Sequence, residues 1–238
     1  QLFNIDPATG DYLPIGVSSV DFSVESIGAD TASGAVYGIA TGSGTDSAGN
    51  SIAQGNVVKA DSDGEWFLVG DASSAFGGPV PFELSQSGTI YNGQLVVNDN
   101  TTGFRNLIFI DINEPVGSTQ DVVSNTIEFI TLIGEDIVID DNGNVYGISR
   151  LDPGNLRTFN IPTASAPPTI NPVTILPLVS STAAPGATDV NSYPASTLGN
   201  GSMWLAEDAL TGDVRMYVFH NETGGIYEIN DYDTANPT

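Results

Sequence analysis

Asp136–Ser149 reads DIVIDDNGNVYGIS. Two short runs rich in β-branched residues flank Asp141-Asn142-Gly143-Asn144. Asn-Gly supplies the positive φ angles of a tight turn, so the stretch predicts a β-hairpin. Its core, Gly-x-(Val/Ile)-Tyr, recurs at Gly34-Ala35-Val36-Tyr37, at Gly88-Thr89-Ile90-Tyr91 and, more loosely, at Gly201-Ser202-Met203-Trp204. The glycines are 54, 55 and 58 residues apart (88−34, 143−88, 201−143).

A second kind of hairpin alternates with the first. Residues 2–16, LFNIDPATGDYLPIG, place Pro and Gly where a turn uses them. Copies follow at 57–70, at 107–112 with 127–134, at 156–161 with 174–179, and at 216–229. The unit is two hairpins, or four strands, in about 55 residues. No ten-residue stretch carries a 3.6-residue hydrophobic period. Four-stranded units at this spacing predict an all-β fold: a β-propeller of four-stranded antiparallel blades. The expectation is one domain over residues 1–238, with four full repeats plus an N-terminal outer hairpin, making five blades if closed. Five outer-type hairpins stand against four inner-type ones. Leu2–Gly16 is therefore expected to pair with an inner hairpin from chain beyond Thr238 or from a neighbouring subunit. Gln1 in place of Met carries a further expectation, that a leader or a longer segment has been removed. Two linkers stand out, the Gly/Ser/Asp-rich 41–54 and the Pro/Ala/Ser/Thr-rich 162–194.

The segments LFNIDPATG…YLPIG and DDNGNVYGIS resemble the repeats of secreted bacterial β-propellers built from L-x-x-I-D-P-x-T-G and G-x-V-Y-G-I units. They are similar, more loosely, to NHL- and YVTN-type propellers. The resemblance implies inner strands from the Gly-x-(Val/Ile)-Tyr hairpin and outer strands from the I-D-P-x-T-G hairpin. Such families include binding, scaffold and enzyme members, and fold alone transfers no function.

The chain has 29 acidic and 5 basic residues, a formal net charge of −24, and Lys59 is its one lysine. Phosphate contacts need clustered Lys and Arg, so nucleic acid is excluded as a partner. An anionic membrane surface would repel the chain. Cysteine is absent, which removes disulfides, thiolate metal sites and Cys nucleophiles. No apolar run approaches the roughly 20 residues of a membrane span. The pattern leads to a secreted or cell-surface, bacterial location.

Three chemistries have candidate residues. Calcium is the first. Asp61 and Asp63, with Asp140, Asp141 and Asn142, place oxygen donors adjacent or two apart in turns, as a hard cation requires. Asp231 and Asp233 repeat the spacing. The EF-hand pattern fails, since Lys59 or Val138 would hold its first position, and Asp, Asn and Gly also simply build turns. Acid–base hydrolysis or elimination is the second. Its partners are not distinctive. His220 is the one histidine and aligns with Asp6 at an outer turn, where an exposed residue is expected. Arg105, Arg150, Arg157 and Arg215 could supply three guanidinium groups to clasp a carboxylate, but the S-x-D-x-G-x-x-W box is missing. Glycan binding is the third, through Tyr37, Tyr91, Tyr146 and Trp204. A periodic aromatic is ordinarily blade core. The leading expectation is therefore a non-enzymatic extracellular structural or interaction domain that contacts protein or glycan at the cell surface or assembles with itself. A carbohydrate-active propeller enzyme (hydrolase or lyase) and a lectin-like module are the alternatives.

Overall fold

The computed structural model describes residues 2–5, 12–15, 20–76, 87–99, 105–113, 116–129, 136–149, 152–161, 174–177, 182–183, 200–207, 211–220, 225–229 and 232. Asp231 and Asp233 lie outside them. The described residues are strands and turns, with one short 3-10 turn at Ser73–Phe76 and no helix long and apolar enough to cross a membrane. The chain falls into two compact units. One holds Gln1–Ile5 and Tyr12–Ile130; the other holds Asp6–Asp11 and Thr131–Thr238.

In the first unit β1 (Leu2–Ile5) and β2 (Tyr12–Ile15) form a two-stranded antiparallel pair. Among the described residues they pair only with each other. A four-stranded sheet follows, from β3 (Val24–Asp30) and β4 (Ala35–Ala40), then β7 (Asn56–Ala60) and β8 (Trp66–Asp71), in the order β3-β4-β7-β8. Between β4 and β7 the polar linker makes its own small hairpin, β5 (Gly44–Thr45) with β6 (Ser51–Ile52). Its Ile52 joins Phe22, Val58, Ala60, Trp66 and Leu68 in a buried cluster on one face of the sheet, and Phe22 meets Trp66 edge-on at 6.5 Å. The linker thus supplies core despite its composition.

The second sheet of this unit is β9 (Ser87–Tyr91), β10 (Gln94–Asp99), β11 (Arg105–Asp111) and β12 (Val123–Phe129), also in sequence order. Its face and the opposite face of the first sheet share one core, including Tyr37, Ile39, Val57, Leu95, Val97, Ile108 and Ile110. Each fully buried Leu or Ile contributes about 1.5–3 kcal/mol by leaving water. The segment between β11 and β12 reaches back to β8. Gly117 N–H donates to Leu68 O at 2.5 Å, Asp71 N–H to Gln120 O at 2.8 Å and Val122 N–H to Asp71 O at 3.0 Å. With Ser47 N–H on Trp66 O at 2.9 Å, the outer rim of β8 is hydrogen-bonded at Trp66, Leu68 and Asp71.

The second unit repeats the four-stranded plan. One sheet is β13 (Asp136–Ile139), β14 (Asn144–Ser149), β15 (Asp152–Asn160) and β16 (Thr174–Pro177) in sequence order. The other joins β17 (Thr182–Ala183), β18 (Asn200–Glu207), β19 (Val214–His220) and β20 (Gly225–Ile229) in the order β17-β20-β19-β18. Val138, Tyr146, Ile148, Leu156, Met203, Met216, Val218, Tyr227 and Ile229 form its core. Each unit therefore packs two four-stranded antiparallel sheets, an all-β, blade-like arrangement.

Two expectations need correction. The four Gly-x-(Val/Ile)-Tyr copies are not structurally equivalent. Gly34 and Gly143 sit in turns with φ of 69° and 80°, and their tyrosines lie on second strands. Gly88 and Gly201 lie inside edge strands, β9 and β18. The second correction concerns residues 216–229, expected as an outer hairpin. As β19–β20 they occupy the two middle positions of their sheet, and the edge strand β17 comes from earlier in the chain. The count of five outer hairpins against four inner ones does not hold.

Candidate functional site

Glu25 stands apart among the carboxylates. It lies on β3, where the register to β4 slips between Glu25 and Gly28 and admits an extra residue. Such bulges bend a strand and re-aim side chains. Ser26, inside the bulge, is buried and has φ of 52°, a left-handed conformation that costs a Cβ-bearing residue about 1–3 kcal/mol. The bulge presses on the next sheet. A Cβ placed on Gly88 would sit 2.1 Å from Ser26 O, and one on Gly28 would sit 2.9 Å from Thr89 C. Glycine at both positions permits that approach.

Opposite Ile39 in the register, Glu25 projects from the face turned to the second sheet. It is half-buried, and its Oε2 is enclosed with no hydrogen-bond partner. Burial without compensation disfavours the charged form, so its pKa is raised above the ordinary glutamate value. Thr41 Oγ1 and Asn106 Oδ1 are two further enclosed oxygens of this unit without a partner. Sequence reading missed Glu25 because nothing local marks it. Its burial arises only in the folded chain.

Asp46 shows the opposite electrostatics. It is 5% exposed, and burial alone would raise its pKa. Hydrogen bonds from Leu68 N–H (2.9 Å), Asn50 Nδ2 (2.9 Å), Asn50 N–H (2.7 Å) and Ala48 N–H (3.0 Å) outweigh that and hold it below the ordinary aspartate value.

The residues expected to bind calcium sit in turns of the same design. Asp61 Oδ1 accepts from Asp63 N–H and Glu65 N–H, each at 3.0 Å. Asp140 Oδ1 accepts from Asn142 N–H at 2.9 Å and Asn144 N–H at 2.8 Å, and its Oδ2 from Asn144 Nδ2 at 2.8 Å and Tyr146 Oη at 3.3 Å. Asp46, Asp61 and Asp140 each open an Asp-x-x-Gly-x loop whose glycine has positive φ and donates its N–H to the aspartate carbonyl. Asp141 and Asn142 are exposed on the tip. Among the described residues no group of three or more His, Cys, Asp or Glu side chains converges on one point.

His220, expected to be exposed, is completely buried at the end of β19 and meets the Tyr227 ring edge-on at 6.1 Å. Strand β19 alternates its side chains, and His220 falls on the inward side with Met216 and Val218. Tyr37 and Tyr146 are core, whereas Tyr91 and Trp204 are only half-buried. Trp204 stacks on Tyr217, with ring centroids 5.6 Å apart. Of the basic residues, Lys59 lies over the Tyr37 ring and Arg215 pairs with Glu228 at 3.5 Å. The side chains of Arg105 and Arg150 lie outside the described residues.

No family model and no curated protein matches the chain. Among solved structures, a protein of Bacteroides fragilis matches at 14% identity and TM-score 0.42, covering 96% of this chain and 76% of that one. One from Bacteroides uniformis matches at 12% identity and TM-score 0.41, covering 95% and 76%. Both are named as putative 6-phosphogluconolactonases. The expectation of a non-enzymatic structural protein is corrected on this finding. The matching proteins are named as enzymes, not as structural proteins. Likeness at this level carries no argument about which chemistry this chain performs.

Proposed function

We propose that the chain is a single β-propeller domain, secreted or at the surface of a bacterial cell, that acts as a carbohydrate-active enzyme, a hydrolase or lyase. The observation that supports this reading is Glu25: a half-buried carboxyl with one unpartnered oxygen, held in its protonated form to higher pH, at a strained bulge. A raised pKa keeps a carboxyl able to donate a proton at higher pH than an ordinary glutamate, and such groups cluster at functional sites. In this role Glu25 gives its proton to the leaving oxygen of a sugar ester or glycoside as the C–O bond breaks, and recovers a proton from the water whose oxygen forms the new bond to the freed carbon. Charge narrows the substrate. With a formal net charge of −24 and five basic residues, the chain repels phosphorylated sugars, so the reading favours uncharged ones. The test is turnover on a panel of neutral oligosaccharides and sugar lactones. Wild type should turn over at least one of them, and Glu25→Gln should abolish that turnover while keeping the β-rich circular dichroism spectrum. No turnover by wild type, or equal turnover by the variant, rejects the proposal. Calcium at the turns of Asp61, Asp63, Asp140, Asp141 and Asn142 is a separate proposal.

A further inference from the structure

We infer that Asn92 is a site of spontaneous deamidation and isoaspartate formation, and that Asn142, in the same Asn-Gly dipeptide, is protected by its turn. The reaction begins when the backbone nitrogen of the following glycine, having lost its proton to base, attacks the asparagine Cγ. A new C–N bond forms, the side-chain amide C–N bond breaks, and ammonia leaves. Water then opens the resulting five-membered imide at either carbonyl, giving aspartate or isoaspartate. One water is consumed and one ammonia released, and no other reactant is needed. What decides the rate is whether the glycine nitrogen is free to approach.

At the β9–β10 tip it is free. Tyr91 pairs with Gln94, leaving Asn92-Gly93 as a two-residue loop with φ of 49° and 71°. Both residues are exposed. A Cβ built on Gly93 would meet nothing within 4 Å, so the loop has open space on that side. At the β13–β14 tip the nitrogen is held. Gly143 is buried, and its N–H donates to Asp140 O at 2.9 Å. Asn142 N–H is bound in turn by Asp140 Oδ1 at 2.9 Å. The Gly143 bond must open before attack, and the bond from Asn142 N–H to the Asp140 carboxylate holds the tip in the conformation that keeps it closed. A third pair, Asn200-Gly201, has side chains outside the described residues, so the comparison rests on the first two.

The product matters to the sheet. Isoaspartate routes the backbone through Cβ and lengthens a loop whose two residues set the β9–β10 register. Either product adds a negative charge to an already anionic chain. The experiment incubates the intact protein at mildly alkaline pH and follows both tips by peptide mapping with an isoaspartate-sensitive readout. Asn92 should convert about tenfold faster than Asn142, the factor expected when an ordinary turn hydrogen bond on the attacking nitrogen must open first. In denaturant the two rates should converge. Asp140→Ala should speed conversion at Asn142 and leave Asn92 unchanged. Equal native rates, or an Asn92 that reacts only in denaturant, would overturn the inference, and so would an Asn142 rate unmoved by Asp140→Ala in a folded variant.

Discussion

Gly88-Thr89-Ile90-Tyr91 and Gly143-Asn144-Val145-Tyr146 look alike and do different physical jobs. Gly143 is needed for its backbone angle: φ of 80° lets the chain reverse between β13 and β14. Gly88 is needed for its lack of a side chain, because the Ser26 carbonyl occupies the space a Cβ would fill. One tetrapeptide thus satisfies a local constraint in one sheet and a long-range constraint in another. Spacing along the chain is therefore no proof of equivalent position in the fold. A pattern shared for different reasons can drift by half a hairpin without breaking the repeat.

Substitution tests the two roles. Gly88→Val should give the largest effect, a loss of about 3 kcal/mol or more, since backbone rather than a flexible side chain stands in the way. Gly143→Val should lose roughly 1–3 kcal/mol through left-handed strain. Asparagine separates the two cases. At position 143 it tolerates positive φ and should recover most of the loss, whereas at 88 it should be as damaging as valine. Denaturant unfolding checks all four variants, and recovery by Asn at position 88 would refute the steric account.

A smaller effect distinguishes the aspartates that open the Asp-x-x-Gly-x loops. Asp46→Ala should lose about 2 kcal/mol, because Leu68 N–H is left unpartnered in a buried place. Asp61→Ala, in an exposed turn, should lose only about 0.5 kcal/mol. Asp46 has a depressed folded-state pKa. Its contribution is present above the unfolded value of 3.8 and is lost as pH falls through the folded value. Acid unfolding should therefore begin below that point and be shallower in Asp46→Asn. Glu25 carries the opposite sign. Its folded pKa lies above 4.5, so its burial weakens the fold increasingly as pH rises from there through the folded value. Glu25→Gln should accordingly raise the melting temperature at neutral pH. The smallest expected effect is calcium's. Melting temperature should rise more with calcium than with sodium at matched ionic strength if the turns at Asp61 and Asp140 bind it, and equally if screening alone acts.

Much of the architecture was legible because it rests on local chemistry. Alternating apolar residues and Gly-containing turns announced the strands around 57–70 and 136–149. What could not be read depends on partners distant in sequence. Nothing near residues 182–183 says that they complete a sheet with β20. Thr41–Gln54 reads as a linker, yet Ile52 is buried and Asp46 reaches across to Leu68. His220 aligned with a turn aspartate, and strand alternation turned it inward instead. Glu25 looked like one acid among many, and only folding encloses its Oε2.

The hydrogen bonds along the outer rim of β8 have a consequence for association. An open rim lets a foreign strand add to a sheet by continuing its ladder, the first step of many fibrils. On β8 the rim groups of Trp66, Leu68 and Asp71 already belong to the protein's own loops. A newcomer would have to evict Asp46, Ser47 and the 117–122 segment before forming a single bond. The segment from Gly117 to Val122 thus guards the Leu68–Asp71 end of that rim, and shortening it would leave that end open to an incoming strand.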